Sequence, residues 1–453
     1  MPARARGVPL ATLVGVVVVL VTLRACEERR VAKSRGRPTS PAAKATSAIA
    51  SVDAGVFVAR APVAREPAGE LDAGGVDADA GDAGDAGDAS SPDAGVAFES
   101  VPLGAAHMLH GGPRHAHRAS ARGPERAKVR WQTAVGGAVE AQVVASPDEK
   151  TLYAASLDGS LTALDVETGA KQWTLPLGDR AYSTPCVSPA GTIYVGSDAH
   201  RFYAVSSKGT VVWKLETNGD ADTGAVLAGS LVVFASGPSV YAVRPGGDVA
   251  WRFDAKRKVF TAPALEPSGV VVFGSQDHRL YAVTPAGALA WSLDLNADVD
   301  GAPAIGDDGA ITVGTDGGEV VRVSASGDLL WRAPVGGFVR GTLSLSRNGD
   351  ALAGVYGPTP RVVRVGADGA VLASFAVQGT GSREFGVHGG PLEDASGALF
   401  FGAQDDDVHA LGPDGTWQWS FATGGDVDAP LTLLSDGALV AASDDGNVTL
   451  FDP

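Results

Sequence analysis

The chain of 453 residues has only two cysteines, Cys26 and Cys186, in unrelated contexts. Two such cysteines build no disulfide framework, and the Cys-x-x-Cys-His attachment of a c-type haem is impossible. Methionine is equally scarce and aromatic residues make up 6%, while glycine occupies 60 positions. That balance suits a turn-rich, all-β chain better than a helical one. Basic residues are outnumbered, 36 against 52 acidic, for a net charge of −16. With no basic face to neutralise phosphates, nucleic acid is excluded as a partner.

A long apolar run lies at the start. Arg4 and Arg6 precede an uncharged stretch from Gly7 to Leu23, which ends at Arg24-Ala25-Cys26. A short apolar core behind a basic segment reads as a secretory signal, since a spanning helix usually needs about 20 residues. Leu23-x-Ala25-Cys26 resembles a bacterial lipobox, which makes Cys26 a candidate lipidated residue. Arg24 and the basic cluster that follows depart from that pattern, so an uncleaved anchor and an ordinary cleaved signal stay open. All three readings place the protein outside the cytoplasm, periplasmic or outer-membrane-associated, and near a membrane. Cys186 reads as a small buried hydrophobe.

Residues 27–126 read as a disordered linker. The low-complexity run from Asp77 to Asp88 offers almost nothing to bury and cannot offset the entropy of ordering. Its spacing matches no calcium loop. His107, His110, His115 and His117 crowd together before its end, close enough to suggest a transition metal. No strand, helix, Cys or paired carboxylate fixes them, so a polar spacer is the favoured reading.

From Val129 onward one unit recurs. A glycine is followed four residues later by tryptophan at Gly169–Trp173, Gly209–Trp213, Gly247–Trp251, Gly287–Trp291, Gly327–Trp331 and Gly415–Trp419. A further copy, Gly369 to Ala373, has lost the ring. Counting Trp131 and Ala373, the marks are 42, 40, 38, 40, 40, 42 and 46 residues apart. Four short strands fill each interval, the signature of a propeller blade. Sets of the first three strands occur eight times, and the last set ends at Phe451 one strand short. Trp131 has no set before it, so its strand completes the eighth blade. Residues 127–453 are therefore expected to form an eight-bladed β-propeller of four-stranded blades, closed by its N-terminal strand and monomeric. Closure leaves no open sheet edge. Trp131, Trp173, Trp213, Trp251, Trp291, Trp331 and Trp419 read as inter-blade packing, and Trp291→Ala as a loss of about 3–5 kcal/mol.

Ala163-x-Asp165-x-x-Thr168-Gly169-x-x-x-Trp173 resembles the tryptophan-docking motif of pyrroloquinoline quinone (PQQ)-type propellers. The resemblance covers residues 127–453. It implies one of two branches, quinoprotein dehydrogenases or non-catalytic envelope propellers similar to the BamB-like outer-membrane assembly lipoproteins. The enzyme branch holds a quinone with Ca²⁺ ligands and an Asp base, often beside a disulfide of adjacent cysteines. That Cys-Cys pair is missing here, as are the long inter-blade insertions that roof a cofactor. The expectation is thus a non-catalytic, membrane-tethered binding or scaffolding propeller without cofactor or metal, whose partners are envelope proteins. A diverged quinone-dependent oxidoreductase and a sugar- or cell-wall-binding module are the alternatives.

A ligand would meet the mouth of the central channel. Aligned on Ala-Pro, the repeats place Glu140, Ser183, Thr223, Thr261, Gly301, Arg340, Gly389 and Asp428 at one level. Val139, Tyr182, Asp222, Phe260, Asp300, Val339, His388 and Val427 form the next. Glu140, Asp222, Asp300 and Asp428 make a candidate acidic rim with Arg340 and His388 inserted. Asp405, Asp406 and Asp407 read as solvated surface, and no catalytic residues are visible.

Overall fold

The computed structural model describes residues 106–382 and 385–453. The expected signal or anchor, Cys26 with it, and the Asp77–Asp88 run lie outside the described residues. The described chain forms eight four-stranded antiparallel sheets. Blades 1 to 8 span residues 144–176, 186–216, 226–254, 264–294, 304–334, 344–376, 392–422 and 432–451, the last joined by 129–134. Strand Val129–Ala134 pairs with Asn447–Phe451, with Trp131 opposite Leu450 and Ala134 opposite Asn447. The ring is closed as the repeat count requires. No described helix is long and apolar enough to cross a membrane.

Each strand's sequence suits its radial position. Second strands such as Val271–Gly274 are apolar throughout and buried along their whole length. Outer strands such as Val211–Glu216 alternate exposed and half-buried residues, because one face meets the next blade and the other meets water. The core lies between blades. Ala264, Val272 and Leu280 of blade 4 pack against Ile305, Val313 and Val321 of blade 5.

The Gly–Trp unit works across that seam. Trp131, Trp173, Trp213, Trp251, Trp291 and Trp331 each lie against the turn glycine of the following blade, and each indole N–H donates to a carbonyl of that turn. Trp131 donates to Val166 at 2.8 Å, Trp173 to Ser207 at 3.0 Å and Trp291 to Ala325 at 2.9 Å. A Cβ on Gly327, whose φ is +85°, would stand 2.7 Å from Trp291 Cδ2. The glycine is needed for the turn and also for the indole face. Where blade 6 has Ala373, Phe375 takes over and lies against Gly415. Trp419, which meets the closing blade, donates to Pro124 at 3.0 Å. The tryptophans are half-buried, so the full-burial cost expected for Trp291→Ala is too large.

The linker does not extend to residue 126. Residues 106–121 are packed under the propeller as an arc that closes one end of the channel. Their carbonyls accept from the inner strands of six blades: Ala106 from Ala145, His107 from Val187, Pro113 from Leu265, Arg114 from Ile305, Ala116 from Leu345 and His117 from Glu393. The arc bends sharply through positive φ at His110, His115 and His117, with φ of 53°, 54° and 53°. These three histidines are buried, not solvated. His110 stacks on His117 with centroids 3.9 Å apart. His115 and His117 spend ring nitrogens on the Pro303, Gly390 and Leu431 carbonyls. Met108 and Leu109 anchor the arc in apolar surroundings. The spacer reading failed because the contacts that hold this arc are mostly main-chain ones, which no side-chain pattern announces.

Candidate ligand site at the channel mouth

The register of the mouth follows from one repeated hydrogen bond. Val139, Ala181, Ala221, Val259, Val299, Val339 and Val427 each donate their N–H to a carbonyl of the preceding blade: Ser443, Ser156, Ser197, Gly237, Ser275, Thr315 and Ala403. The following residue in each of these seven blades therefore stands at one level, and in blade 7 Val387 lies against Gly354 as Val339 lies against Gly314, which brings His388 to the same level. That ring is Glu140, Tyr182, Asp222, Phe260, Asp300, Arg340, His388 and Asp428. The Ala-Pro alignment had split it over two levels, because blade 8 places Pro430 one residue earlier than blade 4 places Pro263. Val139, Val339 and Val427, expected at the rim, are wholly buried beneath it, as are Ser183 and Thr261.

All six candidate rim residues line one cavity of about 500 Å³. Ring residues and the N–H donors that bind the arc are related by a constant offset of five positions, as in Glu140 and Ala145 or Asp300 and Ile305. Five residues of extended chain span about 16 Å. The arc thus converts the channel into a blind pocket, and Leu109 forms part of its lining.

The walls are acidic and incompletely neutralised. Arg180 lies 3.2 Å from Asp198. Lys258 reaches Asp222 at 3.0 Å and Asp220 at 3.3 Å, with its ammonium 4.1 Å from the Phe260 ring centroid. Arg340 binds both oxygens of Asp316 at 3.0 and 3.1 Å and lies over Phe338. Burial, reinforced by Asp428, Asp444 and Asp426, pushes the Glu140 carboxyl up to about 8. Burial and then Asp220 raise Asp198 to about 6, and burial and then Asp316 raise Asp300 to about 6. Asp222 is raised by burial against the pull of Lys258. Four carboxylate oxygens are buried without a hydrogen-bond donor: Oδ1 of Asp198, Asp222, Asp300 and Asp428.

One local reading changes away from the mouth. Asp405 is not solvated surface: its carboxylate lies 3.1 Å from His409 Nε2, and His409 Nδ1 lies 2.8 Å from Ser420 Oγ. The order resembles a hydrolytic relay, but its equivalents in blade 4, Asp277 and Tyr281, make the same cross-turn bond (2.6 Å). It is a blade-bracing contact. Cys186 is buried and its thiol is pushed up to about 12 by burial, as a small hydrophobe's would be.

Eight closed blades, indole-to-turn docking and a blind axial pocket define a PQQ-like β-propeller repeat protein. A family model described as outer membrane protein assembly factor BamB matches residues 117–242 and 276–361. BamB from Moraxella catarrhalis is similar in structure, with a TM-score of 0.59 and 18% identity over 71% of this chain and 100% of that one. A europium-containing methanol dehydrogenase aligns with a TM-score of 0.65 and 10% identity over 75% of this chain and 89% of its own. Quinohemoprotein alcohol dehydrogenase from Comamonas testosteroni aligns at 0.64 and 12% identity over 76% and 80%. No curated protein matches the sequence.

The dehydrogenase-like structures raise the question of a quinone. The donor set of the mouth does not fit one that carries carboxylates. Arg180, Lys258 and Arg340 are already engaged by Asp198, Asp222 and Asp316. No other Lys or Arg of the described residues lines the pocket, and the carboxylate oxygens left over repel an anion unless a cation bridges them.

Proposed function

We propose that this protein is a non-catalytic binding propeller of the bacterial envelope, tethered through its N-terminus and similar in role to the BamB-type assembly factors. The observation that carries this choice over a dehydrogenase is that Arg180, Lys258 and Arg340, which line the pocket, are each already held by a carboxylate. The family match supports the same branch. Export rests on residues 1–26, with Cys26 as the lipidated residue and the following segment as the spacer between membrane and propeller.

The test is in the native host. The full chain is expressed from its own promoter with a C-terminal tag, crosslinked in intact cells and recovered from the membrane fraction, with Cys26→Ser alongside. Retention of defined envelope proteins, and release of the Cys26→Ser form from the membrane, is the expected result. A cytoplasmic protein, or stoichiometric quinone reduction with an added alcohol, overturns the reading.

A further inference from the structure

Two ring positions repeat one local unit three blades apart. Gln276 Nε2 donates to Asp300 Oδ2 at 3.5 Å, and Gln404 Nε2 donates to Asp428 Oδ2 at 3.2 Å. In both, the other oxygen is buried with no donor. Asp428 is only 7% exposed, and one oxygen from each of Asp426, Asp428 and Asp444 falls within 4.8 Å of the others. Neither Asp428 nor the neighbouring Glu140 has an ion-pair partner among the described residues. A buried acceptor left without a donor is costly, so each of these oxygens favours an N–H supplied from outside.

Another part of the ring shows how a carboxylate of this mouth meets a cation, there through Asp222 Oδ2. There Lys258 places an ammonium between Asp220 and Asp222 and against Phe260. Carboxylate pair and aromatic face together form a cation seat. Near Asp428 and Asp300 the same chemistry is half built. A divalent ion gathers about six to eight oxygens at one point. It would satisfy the Asp426–Asp428–Asp444 cluster and leave Asp300 unmatched.

We propose that the channel mouth binds a small organic oligocation, with one amine or guanidinium group seated on Asp428 and another on Asp300. This goes beyond the scaffold reading and does not depend on it, since an envelope partner can dock on the outside of the blades whatever the mouth binds.

Calorimetric titration of the full chain in detergent with spermidine, at low salt and neutral pH, tests it. One-to-one binding is expected, and Asp428→Asn and Asp300→Asn should each weaken it about tenfold, the equivalent of one charge-assisted hydrogen bond. Two independent Asp positions guard against a folding defect in one variant. Asp248→Asn, exposed on an outer turn, should leave it unchanged. Propylamine, with one ammonium, should bind much more weakly. No heat with millimolar spermidine overturns the proposal, as do equal affinities for spermidine and propylamine or binding indifferent to the Asp variants. Calcium chloride binding that spermidine does not displace would make the mouth a metal site, and binding of a neutral oligosaccharide without spermidine a sugar site; either refutes the oligocation. Crosslinking to envelope partners would be unaffected by all of these results.

Discussion

A glycine-to-alanine pair separates the two jobs of the repeat glycine. Gly327 has φ +85° and a Cβ there would lie 2.7 Å from Trp291 Cδ2 and 2.9 Å from its Cε3 and Cγ. Gly349 has φ +80° with nothing within 4 Å of the added carbon. A non-glycine residue in the left-handed region costs about 1–2 kcal/mol, and Gly349→Ala should cost that alone. Gly327→Ala must also displace an indole wedged between blades, adding about 1–3 kcal/mol of overpacking. If the Trp291 N–H leaves the Ala325 carbonyl, a further loss of about 0.5–1.5 kcal/mol follows. The expected totals are about 1–2 kcal/mol for Gly349→Ala and about 3–5 kcal/mol for Gly327→Ala. Trp291→Ala removes the obstacle, so in that background Gly327→Ala should fall to the Gly349→Ala value. Urea midpoints at a common slope measure all four variants. Equal costs for the two glycines, or an excess that survives without the indole, would refute the docking argument.

Other expectations follow from the same geometry. Trp291→Ala by itself should cost about 2–3 kcal/mol, below the range for a fully buried ring, because the indole is half-exposed. Deleting 127–136 removes the strand paired with Asn447–Phe451 and should lower the melting temperature of the whole ring; an unchanged melt would sink the closure. A chain starting at 127 should melt below one starting at 106, because it loses the arc and the Pro124 carbonyl that receives Trp419. Opposed shifts govern the pH dependence of stability. His115 and His117 are held at about 4 by burial, so the unfolded chain binds protons first as pH falls from 6.5 towards 4 and stability is lost there. The loss approaches about 3 kcal/mol for each ring. Glu140 at about 8 acts the other way: the folded chain holds its proton after the unfolded chain has released it, so that contribution is lost as pH rises from 4.5 through 8. Melting temperature across pH 4–9 checks both, and Glu140→Gln should remove the decline between pH 6.5 and 8.

The blade count, the closure and the seam contacts were all legible in the chain, because each depends on local chemistry repeated at one spacing. A glycine that must turn and a tryptophan that must find a neighbour recur whatever the distant parts do. Ala373 shows the limit of that reading: the lost ring is replaced by Phe375 two residues on, visible only once the neighbouring Gly415 stands against it. The six rim residues could be named from the repeats, but their common level could not. Pro430 shifts the apparent alignment of blade 8 by one residue, and the hydrogen bond from Val427 to Ala403 corrects it. The arc at 106–121 was decided by tertiary structure alone. Its carbonyls meet N–H groups scattered from Ala145 to Glu393, and a main-chain carbonyl is the same in every residue. Periodic side chains thus determined the ring, while aperiodic main-chain contacts gave it a floor and turned a channel into a pocket.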